Sequence, residues 1–137
     1  VPRAAALADA LETAGGSGVP AVLCGDISVC PSPLDSWAGG KQAGSLFHTD
    51  ESAHAFSACS LEVHAIFRDK HPGTQAFSWW DYRGGAFHRG HGLRIDFLLG
   101  TKPVAERLEA VTIDRDWRKK RGELKASDHA PVYIDLR

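Results

Sequence analysis

Three acids and one histidine stand where side chains could do chemistry: Asp26 in "CGDIS", Asp96 in "GLRIDFLL", and the neighbours Asp128 and His129 in "SDHAPV". Carboxylates gathered at strand ends suit a hard divalent cation, because Mg²⁺ takes oxygen ligands and keeps several waters. A histidine paired with a carboxylate suits phosphodiester cleavage near neutral pH. The acid orients the ring, and the imidazolium stabilises or protonates charge building on a phosphate oxygen. Plainer roles stand beside these. Asp26 can cap a turn, since Gly-Asp is common turn chemistry. Asp96 inside "RIDFLL" is costly to bury unpaired, and an Arg94–Asp96 pair on an exposed face would satisfy it. Ser-Asp in "SDH" can serve only as a cap. The other histidines (His48, His54, His64, His71, His88, His91) show no metal-ligand spacing.

The elements that must position these groups are legible in outline. Ala4, Leu7, Leu11 and Ala14 recur at helical spacing, and Gly15 and Gly16 stop the pattern. The run "VPAVLCGD" predicts a strand buried on both faces that delivers Asp26 to its end. "PSPLDSWAGGKQAG" is turn-rich. A short helix is expected in "SLEVHAIFRDKHP", with Leu61 and His64 to Ile66 inward and Pro72 closing it. "QAFSWWDYR" and "LRIDFLLG", joined by the loop "GGAFHRGHG", predict neighbouring antiparallel strands. "KPVAERLEAV" opens a one- or two-turn helix near Pro103. In "SDHAPVYIDL", Val132, Ile134 and Leu136 alternate on one face of a terminal strand. The sum is a mixed α/β domain in which strands outnumber helices.

Composition bounds the function classes. The chain has 137 residues, 43% hydrophobic and 24% charged, which fits one globular domain or part of a larger one. No window reaches the roughly 18 consecutive apolar residues of a membrane span, and no signal-peptide pattern opens the chain. Val1 rather than Met at the start raises the expectation of a fragment or processed product. The 3 cysteines (Cys24, Cys30, Cys59) form no C-x-x-C pair. They read as thiols in a reducing cytoplasm rather than a disulfide framework or zinc site. With a net charge of −1, no global field draws in nucleic acid, so a DNA-binding surface must be a local patch.

In this order, "VLCGDISVCPSPLD", "FSWWDYRGGAF", "GLRIDFLL" and "SDHAPV" resemble the second half of the exonuclease III type of abasic-site endonuclease. That group belongs to the Mg²⁺-dependent endonuclease/exonuclease/phosphatase superfamily, and the resemblance runs from about Val19 to the end. It implies an α/β fold: the C-terminal half of a four-layer α-β-β-α sandwich with mainly antiparallel strands, residues 1–137 forming a partial domain. It further implies that Asp26 positions and helps deprotonate the attacking water. Asp96 would hydrogen-bond the catalytic His129, and Asp128 would help hold the metal. Trp79, Leu93 and Ile95 would line an apolar pocket for an extruded abasic sugar. The alternative for Trp79 and Trp80 is core packing, and strand alternation sends one of that pair inward. Arg83, Arg89 and Arg94 are candidate phosphate contacts. The run "RDWRKKRGELK" is either a further phosphate-binding loop or a solvated charge run.

The sequence departs from the family pattern at two points. The family has Asn two residues after the aspartate, and Ser28 stands there. A hydroxyl is shorter and offers one proton where an amide both donates and accepts. The resemblance also leaves the first half of the domain, with its Asn and Glu for the metal and a phosphate-contacting Tyr, outside these residues. The expected function is therefore a Mg²⁺-dependent DNA-repair nuclease, with Mn²⁺ an alternative metal. It would cleave phosphodiesters at abasic sites and degrade 3′ ends, acting on abasic or 3′-damaged duplex in the cytoplasm together with the N-terminal half of its own domain. The alternative is a truncated or degenerate fragment that binds DNA without cleaving it.

Overall fold

The structure, a computed structural model, describes residues 6, 9–10, 13–42, 47–59 and 63–137. In chain order the elements are β1 (Val22–Asp26), α1 (Asp50–Cys59), β2 (His64–Ala65), α2 (Ile66–Lys70), α3 (Ala86–Arg89), β3 (Asp96–Gly100), α4 (Lys102–Arg107), β4 (Leu108–Ile113) and β5 (Val132–Leu136). Ala4, Leu7, Leu11 and Leu61, read above as helical or inward positions, lie outside the described residues.

β3 is the middle of a three-stranded sheet, with β1 and β2 antiparallel on either side. Its alternation explains that place. Phe97 and Leu99 pack on one face with Val63, Leu23, Ile27 and Phe56. Leu98 turns to the other face, toward Ile66, Phe67, Val104 and Val111. Burying each such side chain contributes roughly 1.5–3 kcal/mol. β4 and β5 form a separate antiparallel pair. "LEAVTI" thus leaves α4 as a strand rather than continuing the "KPVAERLEAV" pattern. Its Val111 is buried against α2 while β5 supplies its ladder partner.

Two expectations change. β1 is an edge strand, not one buried on both faces: Val22 is 39% exposed, and Cys24, Gly25 and Asp26 are also exposed. Among the described residues it has a neighbour only on the β3 side, so nothing shields its other edge. The "QAFSWWDYR" strand shrinks to isolated bridges, Trp79 with Leu93 on one side and with His129 on the other. These two bridges are nonetheless what carries the "SDH" segment to β3. No helix among the described residues is long and apolar enough to cross a membrane.

One glycine is fixed by space. A Cβ on Gly92 would lie 2.4 Å from the Trp80 Nε1 and 2.6 Å from the Phe77 Cβ. The turn into "GLRID" can therefore approach the tandem tryptophans only without a side chain. Trp80 itself is core, 1% exposed, and packs edge-on against Phe87.

Candidate active site

Antiparallel register sets Asp26 of β1 directly opposite Asp96 of β3. Two carboxylates facing each other across strands repel, and a third group sits between them. The Ser78–Ala130 and Trp80–Asp128 backbone bonds lay the "SDH" segment along "SWW". His129 is thereby brought over the acid pair. Its Nδ1 donates to Asp96, 2.9 Å from Oδ2 and 3.0 Å from Oδ1. Its Nε2 faces Asp26 Oδ2 at 4.0 Å. That gap is too long for a direct hydrogen bond, but one oxygen atom can bridge it at about 2.8 Å from each side. The ring is held by one acid and presents its free nitrogen beside the other, with Asp26 the more open of the two.

Asp96 is itself held. Ser78, fully buried, donates its hydroxyl to Asp96 Oδ2 at 2.6 Å. The same Oγ accepts from the backbone N–H of Ile95 and of Asp96, each at 3.2 Å. Sequence reasoning missed Ser78. The available signal was a lone hydroxyl in the apolar run "AFSWW", which must find a partner once buried.

Asp128 is placed by Trp79, whose indole Nε1 donates to Oδ2 at 3.0 Å. The other carboxylate oxygen makes no hydrogen bond within the described residues. Trp79, Leu93 and Ile95 do meet, forming one apolar cluster with Cys30 and Phe47. Leu93 and Ile95 are 6% and 2% exposed, so the cluster is closed to a sugar as it stands.

The arginines divide. Arg94 is corrected: it is 3% exposed and reaches no surface on which a phosphate could sit. Its Nε donates to buried Asp35 at 2.8 Å, and its guanidinium lies 4.5 Å over the Phe97 ring. Nor does Arg94 pair with Asp96. Arg89 is exposed on α3. Arg83 is exposed too and forks onto Asp81 through its Nε and a terminal nitrogen, which leaves its other terminal nitrogen for a phosphate. Hydrogen bonds from Arg83 pull the Asp81 carboxyl down from 3.8 to about 2. A depressed pKa means the fork is fully formed above the ordinary carboxylate range and is lost as pH falls toward 2. An NMR titration should find the Asp81 midpoint at about 2 and return it toward 3.8 in Arg83→Ala; equal midpoints would remove the fork.

Ser28 has the left-handed backbone, φ 54°. Its N–H and its hydroxyl both donate to Asp26 Oδ1, at 2.8 and 3.0 Å. The single hydroxyl proton is therefore spent on Asp26 rather than offered to a phosphate. L residues occupy this region at a cost of roughly 1–2 kcal/mol, which Asn tolerates best after Gly. Ser28→Asn should raise the urea midpoint by relieving that cost, and a lowered midpoint would show that the Asp26 bond matters more.

Could these residues hold a divalent metal? The donor chemistry suits one, since Asp128 offers a hard oxygen that makes no hydrogen bond within the described residues. The number of ligands does not: among the described residues, no three His, Cys, Asp or Glu side chains converge as a metal-ligand cluster. The described residues alone do not make a Mg²⁺ site, and no catalytic step is assigned to a metal.

Residues 1–129 match the model of the endonuclease/exonuclease/phosphatase family. The chain belongs to that family. The exodeoxyribonuclease III of Haemophilus influenzae is 31% identical over 135 residues, covering 93% of this chain and 49% of that protein. A 3′ phosphatase from Neisseria, solved with a product DNA hairpin, superposes with a TM-score of 0.88 at 28% identity, over 98% of this chain and 51% of that one. An AP endonuclease from Archaeoglobus fulgidus gives 0.87 at 29% identity, over 98% and 52%. The chain thus spans about half the length of the relatives it matches. This likeness supports the antiparallel α/β architecture expected of an exonuclease III-type member of the endonuclease/exonuclease/phosphatase family. Nucleases of the family are generally divalent-metal dependent.

Proposed function

We propose that this endonuclease/exonuclease/phosphatase chain is the C-terminal half of a DNA-repair nuclease that hydrolyses phosphodiesters at abasic sites and at 3′ ends. The observation that carries the proposal is the Asp26–His129–Asp96 arrangement, one imidazole bound to Asp96 and opposed to Asp26 across a 4.0 Å gap. In this reading Asp26 orients the attacking water and takes its proton. His129, fixed by Asp96 and through it by Ser78, places Nε2 against a phosphate oxygen as charge builds there. Trp79 holds Asp128, and the Trp79–Leu93–Ile95 cluster receives the extruded sugar. The exodeoxyribonuclease III and AP endonuclease relatives, and the DNA hairpin bound by the Neisseria protein, support DNA as the substrate.

The metal would be Mg²⁺, with Mn²⁺ an alternative. Asp128 would supply one oxygen, and the remaining ligands would come from the other half of the domain. We place the protein in the cytoplasm, a reading supported by Cys24 and Cys30 being unbridged. Purified residues 1–137 should leave abasic duplex intact with or without Mg²⁺, and should cleave it once an N-terminal half is supplied. Robust metal-dependent cleavage by the chain alone would overturn the two-half reading. A complemented protein that binds DNA without cutting it would favour the second reading, a degenerate binding fragment, for which Ser28 is the specific observation.

A further inference from the structure

The connection from β4 to β5, residues 114–131, is closed at its base by the Asp114 N–H bonded to the Pro131 carbonyl. Connections longer than roughly 12–15 residues inside a compact domain are generally functional or disordered. This one is built. Its 3-10 turn (Arg115–Arg118) buries Arg118 over the Phe87 and Tyr82 rings, and exposed Arg115 lies across the Trp80 and Phe87 rings. Tyr82 donates its hydroxyl to the Ala126 carbonyl at 2.7 Å, pinning the far end. Arg121 and Leu124 then pair across a tight turn with Gly122 at φ 60°.

What the connection shows to solvent differs from an ordinary charged surface. Trp117 is 55% exposed and Leu124 77% exposed. Arg121 lies 4.2 Å over the Trp117 ring, and the Lys125 ammonium 3.7 Å over Tyr82. Lys119 is engaged by Asp116 at 2.6 Å, whereas Lys120 makes no ion pair among the described residues. Beside Trp117 the cations left for a ligand are therefore Arg121 and Lys125, while Lys120 lies on the Tyr82–Arg118 side of the connection. Trp117, Leu124, Arg121 and Lys125 line a pocket of about 450 Å³, and His129 forms part of the same wall.

We infer that this pocket is a second nucleic-acid contact, in which an unpaired nucleotide stacks on Trp117 while its phosphates lie on Arg121 and Lys125. An exposed indole flanked by cations is a sequence-tolerant stacking platform, because every base has a π-face and the backbone supplies the charge. A duplex hides its base faces and would use only the cations. The pocket's continuity with His129 gives the platform a use: it would hold a single-stranded tail beside the reacting phosphate. This inference rests on the nuclease reading, but its test does not, since binding is measured in EDTA without cleavage.

Fluorescence anisotropy of residues 1–137 would follow a labelled oligothymidine of about 12 nucleotides, within the site size of such platforms, and a blunt duplex of equal length. Trp117→Ala should weaken the single strand about tenfold, the scale of removing one base stack, and leave the duplex nearly unchanged. Trp117→Phe, which keeps an aromatic face, should restore most of the affinity. Arg121→Gln with Lys125→Gln should flatten the salt dependence by about 0.7 for each phosphate that the variant no longer neutralises. Unchanged oligothymidine binding in Trp117→Ala would overturn the proposal and leave the patch to a protein partner. Equal weakening of single strand and duplex would also overturn it. If binding follows these expectations but the complemented protein never cuts DNA, the nuclease reading falls and the platform stands.

Discussion

His129→Ala is expected to lower cleavage of abasic DNA by about 10²–10⁴-fold in the complemented protein, the span of a positioned acid–base group. Asp96→Asn should cost nearly as much although it preserves shape. An amide carries no negative charge, so the doubly protonated ring that presents Nε2–H to the phosphate oxygen loses the countercharge that Asp96 supplies at Nδ1. Because the two residues act as one unit, the double variant should lose no more than the worse single variant. Single-turnover rates on a pre-incised and an intact abasic duplex would measure this. Additive losses would mean that Asp96 acts independently of the ring, against the 2.9 Å contact. Ser78→Ala separates positioning from stability. It frees Asp96 Oδ2 and strands two backbone N–H groups, so both rate and urea midpoint should fall. Ser78→Thr, which keeps the hydroxyl, should recover the rate more fully than the midpoint.

Much of this site could be read from residue types in order, and the reason is physical. In the proposed mechanism Asp26, Asp96 and His129 act through their own side chains, so their identities are constrained whatever surrounds them. Strands with a two-residue period were equally legible: Val132 and Ile134 do turn to one side of β5, and Phe97 and Leu99 to one face of β3. What failed was partnership across long separations. Alternation sent Arg94 and Asp96 to the same side and suggested each other as partners, but a single strand cannot reveal that Asp35, 59 residues away, occupies the space beside Arg94. Ser78 and the indole of Trp79 escaped as holders of carboxylates for the same reason. α1 was overlooked because "DESAHAFSAC" places small and polar residues on every face, and its helix is stabilised by context, Phe56 against Phe97, more than by pattern.

Asp35→Ala is expected to destabilise the domain by about 3–5 kcal/mol, the scale for removing one member of a buried ion pair. Such a loss is a large part of the ~5–15 kcal/mol that holds a domain of this size. Asp35 is 1% exposed. Its Oδ1 accepts from Arg94 at 2.8 Å and Arg68 at 2.6 Å, and its Oδ2 from the Ser32 hydroxyl and N–H at 3.0 and 3.1 Å. Without the carboxylate, the Arg94 guanidinium stays between the Phe67 and Phe97 rings with no countercharge. Burial already pulls that guanidinium below its ordinary value against the hold of Asp35. Equilibrium urea unfolding measures the loss, and a change under about 1 kcal/mol, the scale of an exposed ion pair, would refute the assignment. Asp35→Leu with Arg94→Met tests the cause, since replacing a buried pair by apolar groups of similar volume is close to neutral. The double variant should therefore be more stable than Asp35→Ala alone. Cys30 supplies an internal reporter. Burial first, and then the Asp35 charge, push its thiol up to about 12, so it should resist alkylation at pH values where exposed Cys24 reacts. Because the raised thiol favours the folded state only below its ordinary range, that contribution disappears as pH climbs toward 12. Removing Asp35 should speed Cys30 alkylation in the folded protein, while the apolar pair should keep the thiol shielded. The backbone of Arg94 also donates to the Asp35 carbonyl at 2.8 Å, two residues before Asp96. The arginine expected to grip DNA thus sits in the core, where its backbone bond fixes the approach to β3.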